Sequence, residues 1–186
     1  MNYLLIISLL SIAPGQSARQ GLQPVYDVRS LSVPPPREKL APHEAIFERE
    51  ILPVARRHWG DKTAHCDQNA NNFMIIDIAK GPFTRPGANQ TAILYKYCET
   101  AHNFALNGIA ITEGDRVVAH LAYEGAWHAA MTALPDINGN GLSEIVIDTR
   151  GMNMGEGWGV ISIIEFSGNM IRFFPCKSSH QFLEAA

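Results

Sequence analysis

"DINGNGLSEIVID", residues 136–148, sets Asp136, Asn138 and Asn140 at every second position, adds Gly141, and runs straight into an apolar, β-branched stretch. Alternation of this kind turns several side-chain oxygens to one side of a bend, and "IVID" has the composition of a strand. The same grammar of polar turn and short strand governs the chain on both sides. "FMIIDIA", "TAILYKYC", "LNGIAIT", "RVVAHLAYEG", "SEIVIDT", "GVISIIEF" and "MIRFF" are rich in Ile, Val, Tyr and Phe and are separated by Gly, Asn, Pro and Asp. "EGDR" and "FSGNM" carry the Gly-Asp and Gly-Asn pairs that supply the positive backbone angles of tight hairpins. Residues 67–186 are therefore expected to form antiparallel sheet.

Ahead of that region, "PHEAIFEREILPVARRHWG" (residues 42–60) places Ile46, Phe47, Ile51, Val54, Ala55 and Trp59 at helical spacing, with charges on the other face. Pro42 suits a first turn and Gly60 a C-terminal stop. Pro53 removes an internal hydrogen bond, so a kink or two short helices is expected, packed on the sheets through the apolar stripe. Residues 19–41, centred on "VPPPREK", read as an extended proline-rich linker. Residues 1–18 have the apolar run, the Pro14-Gly15 breaker and the small Ser17-Ala18 of a secretory signal peptide, although no Lys or Arg precedes the run.

At 186 residues, 46% hydrophobic and 18% charged, the chain has enough material for one domain with a normal core plus terminal extensions. A net charge of −3 and no basic run longer than Arg56-Arg57 leave nucleic acid without an electrostatic footprint. The single long apolar run is shorter than the roughly 20 residues of a membrane span, so an integral membrane protein is not expected. In an exported protein two of Cys66, Cys98 and Cys176 are expected to pair. Spacing does not say which two; the positions of Cys98 and Cys176 at strand ends favour that pair.

Sliding the chain by seventy positions lays "MIIDIAKG", from Met74, over "EIVIDTRG", from Glu144. "QTAILYKY" then falls over "GVISIIEF" after a one-residue adjustment. An Asp/Asn cluster precedes each copy: Asp67, Asn69 and Asn71 in the first, Asp136, Asn138 and Asn140 in the second. Two repeats or two converged hairpins both account for this.

Calcium takes six to eight oxygen ligands, and residues 136–144 offer the side chains of Asp136, Asn138, Asn140 and Glu144 and the backbone carbonyl of Leu142. Gly139 and Gly141 permit the bend. An EF-hand is excluded, because its twelfth position must be a bidentate Glu and here is Ile147, and because a strand follows instead of a helix. The stretch instead resembles the calcium loop of FG-GAP and VCBS β-propeller repeats, D-x-[DN]-x-[DN]-G-x-x-[DE] leading into a short apolar strand. Asp136, Asn138, Asn140, Gly141 and Glu144 match in turn, and the likeness extends over about residues 104–166. It implies propeller-blade-like antiparallel repeats held by structural calcium in a secreted, often non-enzymatic protein that binds other macromolecules. The chain holds about two such repeats and is too short for a closed propeller of four to eight blades. The first cluster lacks the glycines and has Ile75 where an acid is required, so a plain turn is expected there.

Glu124, Trp127 and His128 in "YEGAWHAAM", together with Trp158 in the glycine-rich "RGMNMGEGWG", are candidate ligand contacts. The second of these stretches reads as a long hairpin loop. His58, His65, Cys66 and Asp67 are the nearest approach to a zinc cluster but lack zinc-site spacing. The sequence thus points to a mainly β, secreted or periplasmic binding module with an N-terminal helix, a structural calcium loop, and a protein or glycan as partner. The alternative is a small extracytoplasmic hydrolase with a site near Glu124 and His128.

Overall fold

A computed structural model describes residue 26 and residues 35–100, 104–167 and 170–174. The expected signal peptide, most of the linker, Cys176 and the Gly-Asn pair of "FSGNM" lie outside the described residues. Two units are distinguished, Met1–Ser30 and Leu31–Ala186; in the first only Tyr26 is described, and every described helix and strand belongs to the second.

The helical region begins at Arg37, inside the expected linker, and is a chain of short pieces. These are α1 (Arg37–Leu40), a 3-10 turn (Ala41–His43), α2 (Glu44–Ile46), a π turn (Phe47–Ile51), α3 (Leu52–Trp59) and a 3-10 turn (Gly60–His65). Pro53 produces the expected irregularity. Lacking an N–H, it sits in the first turn of α3, and the wide π turn ends just before it. The extra residue in that turn retards the phase of the following helix. As a result Leu52 is buried, whereas Val54 is displaced to a half-buried position.

Eight strands follow: β1 (Met74–Gly81), β2 (Gln90–Glu99), β3 (Phe104–Glu113), β4 (Arg116–Ala126), β5 (His128–Ala133), β6 (Ile145–Asn153), β7 (Glu156–Ser167) and β8 (Met170–Phe174). They form two four-stranded antiparallel meanders, β1-β2-β3-β4 (sheet A) and β5-β6-β7-β8 (sheet B). The chain is mainly β with an N-terminal helical segment, and the described residues form no closed barrel or propeller. The hairpins related by the seventy-residue shift take different places: β1-β2 opens sheet A, whereas β6-β7 is the middle of sheet B.

Sheet A is the central layer. Ile93 and Tyr95 of β2 and Leu106 and Ala110 of β3 face Phe47, Ile51, Ala55 and Trp59 of the helical segment. Ala92, Leu94, Ile109 and Ile111 face Met131, Ile145, Ile147, Ile164 and Phe166 of sheet B. Burial on both faces explains why "TAILYKYC" is an unbroken apolar run rather than an alternating one.

Two expectations are corrected, and one strand is added. Cys98 bonds to Cys66, not to Cys176: the turn Gly60–His65 delivers Cys66 to the end of β2, where the Cα atoms are 5.5 Å apart and Asp67 N donates to Glu99 O at 2.7 Å. β5 has no β-branched residue except Thr132 and gives no strand signal; its pairing with β6 defines it. "RGMNMGEGWG" is a tight hairpin in place of a long loop, since β6 and β7 run through it to a turn at Met154 and Gly155, both at positive φ. Glycine is tolerated in the ladder because the Trp158 ring covers its partner Gly151, where an added Cβ would lie 2.6 Å from the indole.

Candidate functional site

Residues 134–144 leave β5 and return to β6, and the stem is closed by Leu134 N donating to Glu144 O at 2.8 Å. Ser143 N donates to Pro82 O at 2.9 Å, which ties the loop to the β1-β2 connection of the other sheet. Gly139 and Gly141, at φ +78° and +86°, turn successive N–H groups inward. Asp136 receives them. Its Oδ1 accepts from Gly139 N at 2.7 Å and Asn140 N at 3.1 Å, and its Oδ2 accepts from Gly141 N at 2.6 Å. These donors, Gly141 foremost, hold the Asp136 carboxyl below the usual aspartate value. Asn140 N and Leu142 N donate to the Oδ1 atoms of Asn138 and Asn140 at 3.1 and 2.9 Å, so each asparagine also shapes the bend.

The amide nitrogens of both asparagines point at carboxylates. Asn138 Nδ2 donates to Glu144 Oε1 at 2.9 Å and to Glu165 Oε2 at 2.6 Å, and Asn140 Nδ2 donates to the same Glu165 oxygen at 2.6 Å. Glu144 Oε2 accepts from Ile137 N at 3.1 Å. Glu144 and Glu165 are both wholly buried, at 0% exposure. Glu165, on β7, sits on the outer face of sheet B, opposite in parity to the core residues Ile164 and Phe166, and the loop folds over it.

The structure therefore gathers Asn138, Asn140 and Glu144 around Glu165, which sequence reasoning missed. The only local sign of it was an acid inside the apolar run "VISIIEFS". Asp136 is occupied by its own loop's amides, and Leu142 contributes its N–H to the turn. Among the described residues, no three acidic, histidine or cysteine side chains converge as a ready-made metal cage. Two desolvated carboxylates nevertheless meet there, bridged by Asn138 Nδ2, and Glu165 Oε1 has no hydrogen-bond partner among the described residues, an excess of buried negative charge of the kind a hard divalent cation suits.

The second group does not come together in the same way. Glu124, on β4, accepts a hydrogen bond from Lys62 and is in no hydrogen bond with His128, which opens β5 on the other sheet. A cleft of about 490 Å³ lined by Lys62, His65, Phe104, Leu106 and Glu124 lies beside that ion pair. Trp127 is 47% exposed. The Trp158 ring lies 6.0 Å from that of Phe104, which is itself half exposed. Cys66, in its disulfide, is unavailable to a zinc site. His120, a strand residue with no local signal of its own, bonds to Tyr95 Oη at 2.6 Å in the space left by Gly108. Burial, and secondarily His58, pushes its imidazole down to about 4.

No protein-family model, no curated protein and no solved structure matches this chain.

Proposed function

We propose that this protein is a secreted or periplasmic, non-enzymatic binding module in which the loop at residues 136–144 binds calcium for structural reasons. The observation that carries this reading is the pair of wholly buried carboxylates, Glu144 and Glu165, hydrogen-bonded to loop amides and one backbone N–H and offset among the described residues by the mostly exposed Arg172 at 3.7 Å from Glu165. Buried charge of one sign is costly, and a divalent cation is the natural counterweight. The ion would be held by Asp136, Asn138, Asn140, the Leu142 carbonyl and Glu144. It would supply cross-linking charge, not chemistry. Because the loop also touches Pro82 and Pro86 of the β1-β2 connection, fixing it fixes the two sheets against each other.

Export is supported by the Cys66–Cys98 disulfide, which persists in oxidising compartments, and by the signal-like first 18 residues. Among the described residues no helix is long and apolar enough to cross a membrane. The half-exposed aromatics Phe104 and Trp127, with Trp158 beside Phe104, offer the surface for a protein or glycan partner. The engagement of Glu124 with Lys62 weighs against the hydrolase alternative.

Thermal unfolding in EDTA and in calcium tests the loop. Calcium at a hundredfold over its dissociation constant should add about 2.7 kcal/mol of stability. An unchanged transition at about 10 mM calcium, well above the range of extracellular sites, would refute it.

A further inference from the structure

Glu165 does not belong to the loop motif, yet it is the most conspicuous charge in the region. It is wholly buried, between the apolar Ile164 and Phe166 of β7. Its Oε2 carries two amide hydrogen bonds from the loop, while Oε1 is buried with no hydrogen-bond partner among the described residues. Among the described residues Glu165 is ion-paired with Arg172 on β8, its partner in register, with Nη1 at 3.7 Å from Oε1 and a side chain 59% exposed. That separation exceeds a hydrogen bond, and the guanidinium is mostly in water, so it compensates a buried carboxylate poorly. One amide nitrogen, Asn138 Nδ2, lies within hydrogen-bond distance of both Glu165 and the equally buried Glu144. Two desolvated carboxylates that close repel each other unless a cation lies between them.

Resting on the calcium reading of the loop, we propose that Glu165 is a further ligand of the same ion, supplied by β7. The ion would then bind the loop to β7 of sheet B directly, in addition to the loop's ties to the β1-β2 connection. A loop-only site has one buried carboxylate, Glu144, and Glu165 adds a second, which favours calcium binding through both charge and oxygen number. Arg172 is on this view a competitor, holding Glu165 loosely until the ion takes it.

The test is calcium titration calorimetry on the full chain, with unfolding temperature in EDTA and in calcium, for the unsubstituted protein and for Glu165→Gln, Arg172→Gln and Asp136→Asn. Glu165→Gln keeps the shape and removes the charge. It should weaken calcium binding about tenfold or more, while leaving the unfolding temperature in EDTA equal or higher. Arg172→Gln, at an exposed side chain, should tighten calcium binding severalfold and keeps the question open to measurement if Glu165→Gln fails to fold. If Glu165→Gln and Arg172→Gln both bind calcium like the parent while Asp136→Asn loses it, the loop site stands and the role of Glu165 is overturned. If the parent binds no calcium, the loop reading fails and the role of Glu165 falls with it.

Discussion

The outer faces of the two sheets solve the same problem in opposite ways. On sheet A the helical segment covers the face with apolar side chains, and Tyr95 beneath it is paired with His120. A covalent bond, Cys66–Cys98, fastens the end of the cover to the sheet. On sheet B the loop at residues 136–144 covers Glu144 and Glu165, and its amides and one backbone N–H satisfy only three of the four carboxylate oxygens by hydrogen bonding. The first face is closed mainly by apolar packing and a covalent bond. The second leaves buried negative charge at Glu144 and Glu165, so on the proposed calcium reading the two faces should respond differently to reduction, calcium and pH.

The largest expected effect is on the sheet A side. Replacing Cys66 and Cys98 together by Ser opens a loop spanning 32 positions and should cost about 3 to 4 kcal/mol by loop-closure entropy, read from urea unfolding. The calcium-induced shift should survive; its disappearance would show that the two faces are not independent. Next, Gly141→Ala should cost about 2 to 3 kcal/mol, since the residue sits at φ +86° and a Cβ would meet Pro86 side-chain carbons at 3.0 Å. Gly139→Ala, at φ +78° with open space around it, should cost about 1 kcal/mol. Equal costs would mean that the loop is not pressed against the β1-β2 connection.

pH separates the faces further. The His120 imidazole ordinarily titrates at 6.5 and is pushed down to about 4 in the fold, so protonation favours the unfolded chain. Its contribution is fully present above pH 6.5 and is lost as pH falls towards 4, on the order of 2 kcal/mol once partial exposure is discounted. His120→Gln in EDTA should flatten that part of the stability profile; an unaltered slope would place the titration elsewhere. Asn72→Ala should have the smallest effect. It removes a 2.7 Å bond to Asp67 O and a 2.9 Å bond from Glu99 N in the Asp67 turn, for about 1 kcal/mol in a denaturant midpoint and no change in calcium response.

The contrast between the two Asp-initiated loops was legible beforehand in their glycines. The Asp67 cluster, without glycine, forms an ordinary turn in which Asn69 N donates to Asp67 Oδ1 at 2.8 Å. The Asp136 cluster, with Gly139 and Gly141 at positive φ, brings three N–H groups onto one carboxylate. Both outcomes are local, because a turn is determined by the dihedral freedom of its own few residues.

Seven of the eight strands, the helical segment with its break at Pro53, and the position of the oxygen-rich loop were determined by the sequence itself, through periodicity and turn chemistry acting over a few residues. The pairing of Cys98 with Cys66, the existence of β5, the rotation of α3 that buries Leu52, the shelter of Gly151 under Trp158, and the meeting of Glu144 with Glu165 were decided only by the tertiary structure. Each depends on register between segments far apart in the chain, or on a phase change that accumulates along a helix. Such relations are selected by the packing of two sheets and a helix at once, and no local pattern encodes them.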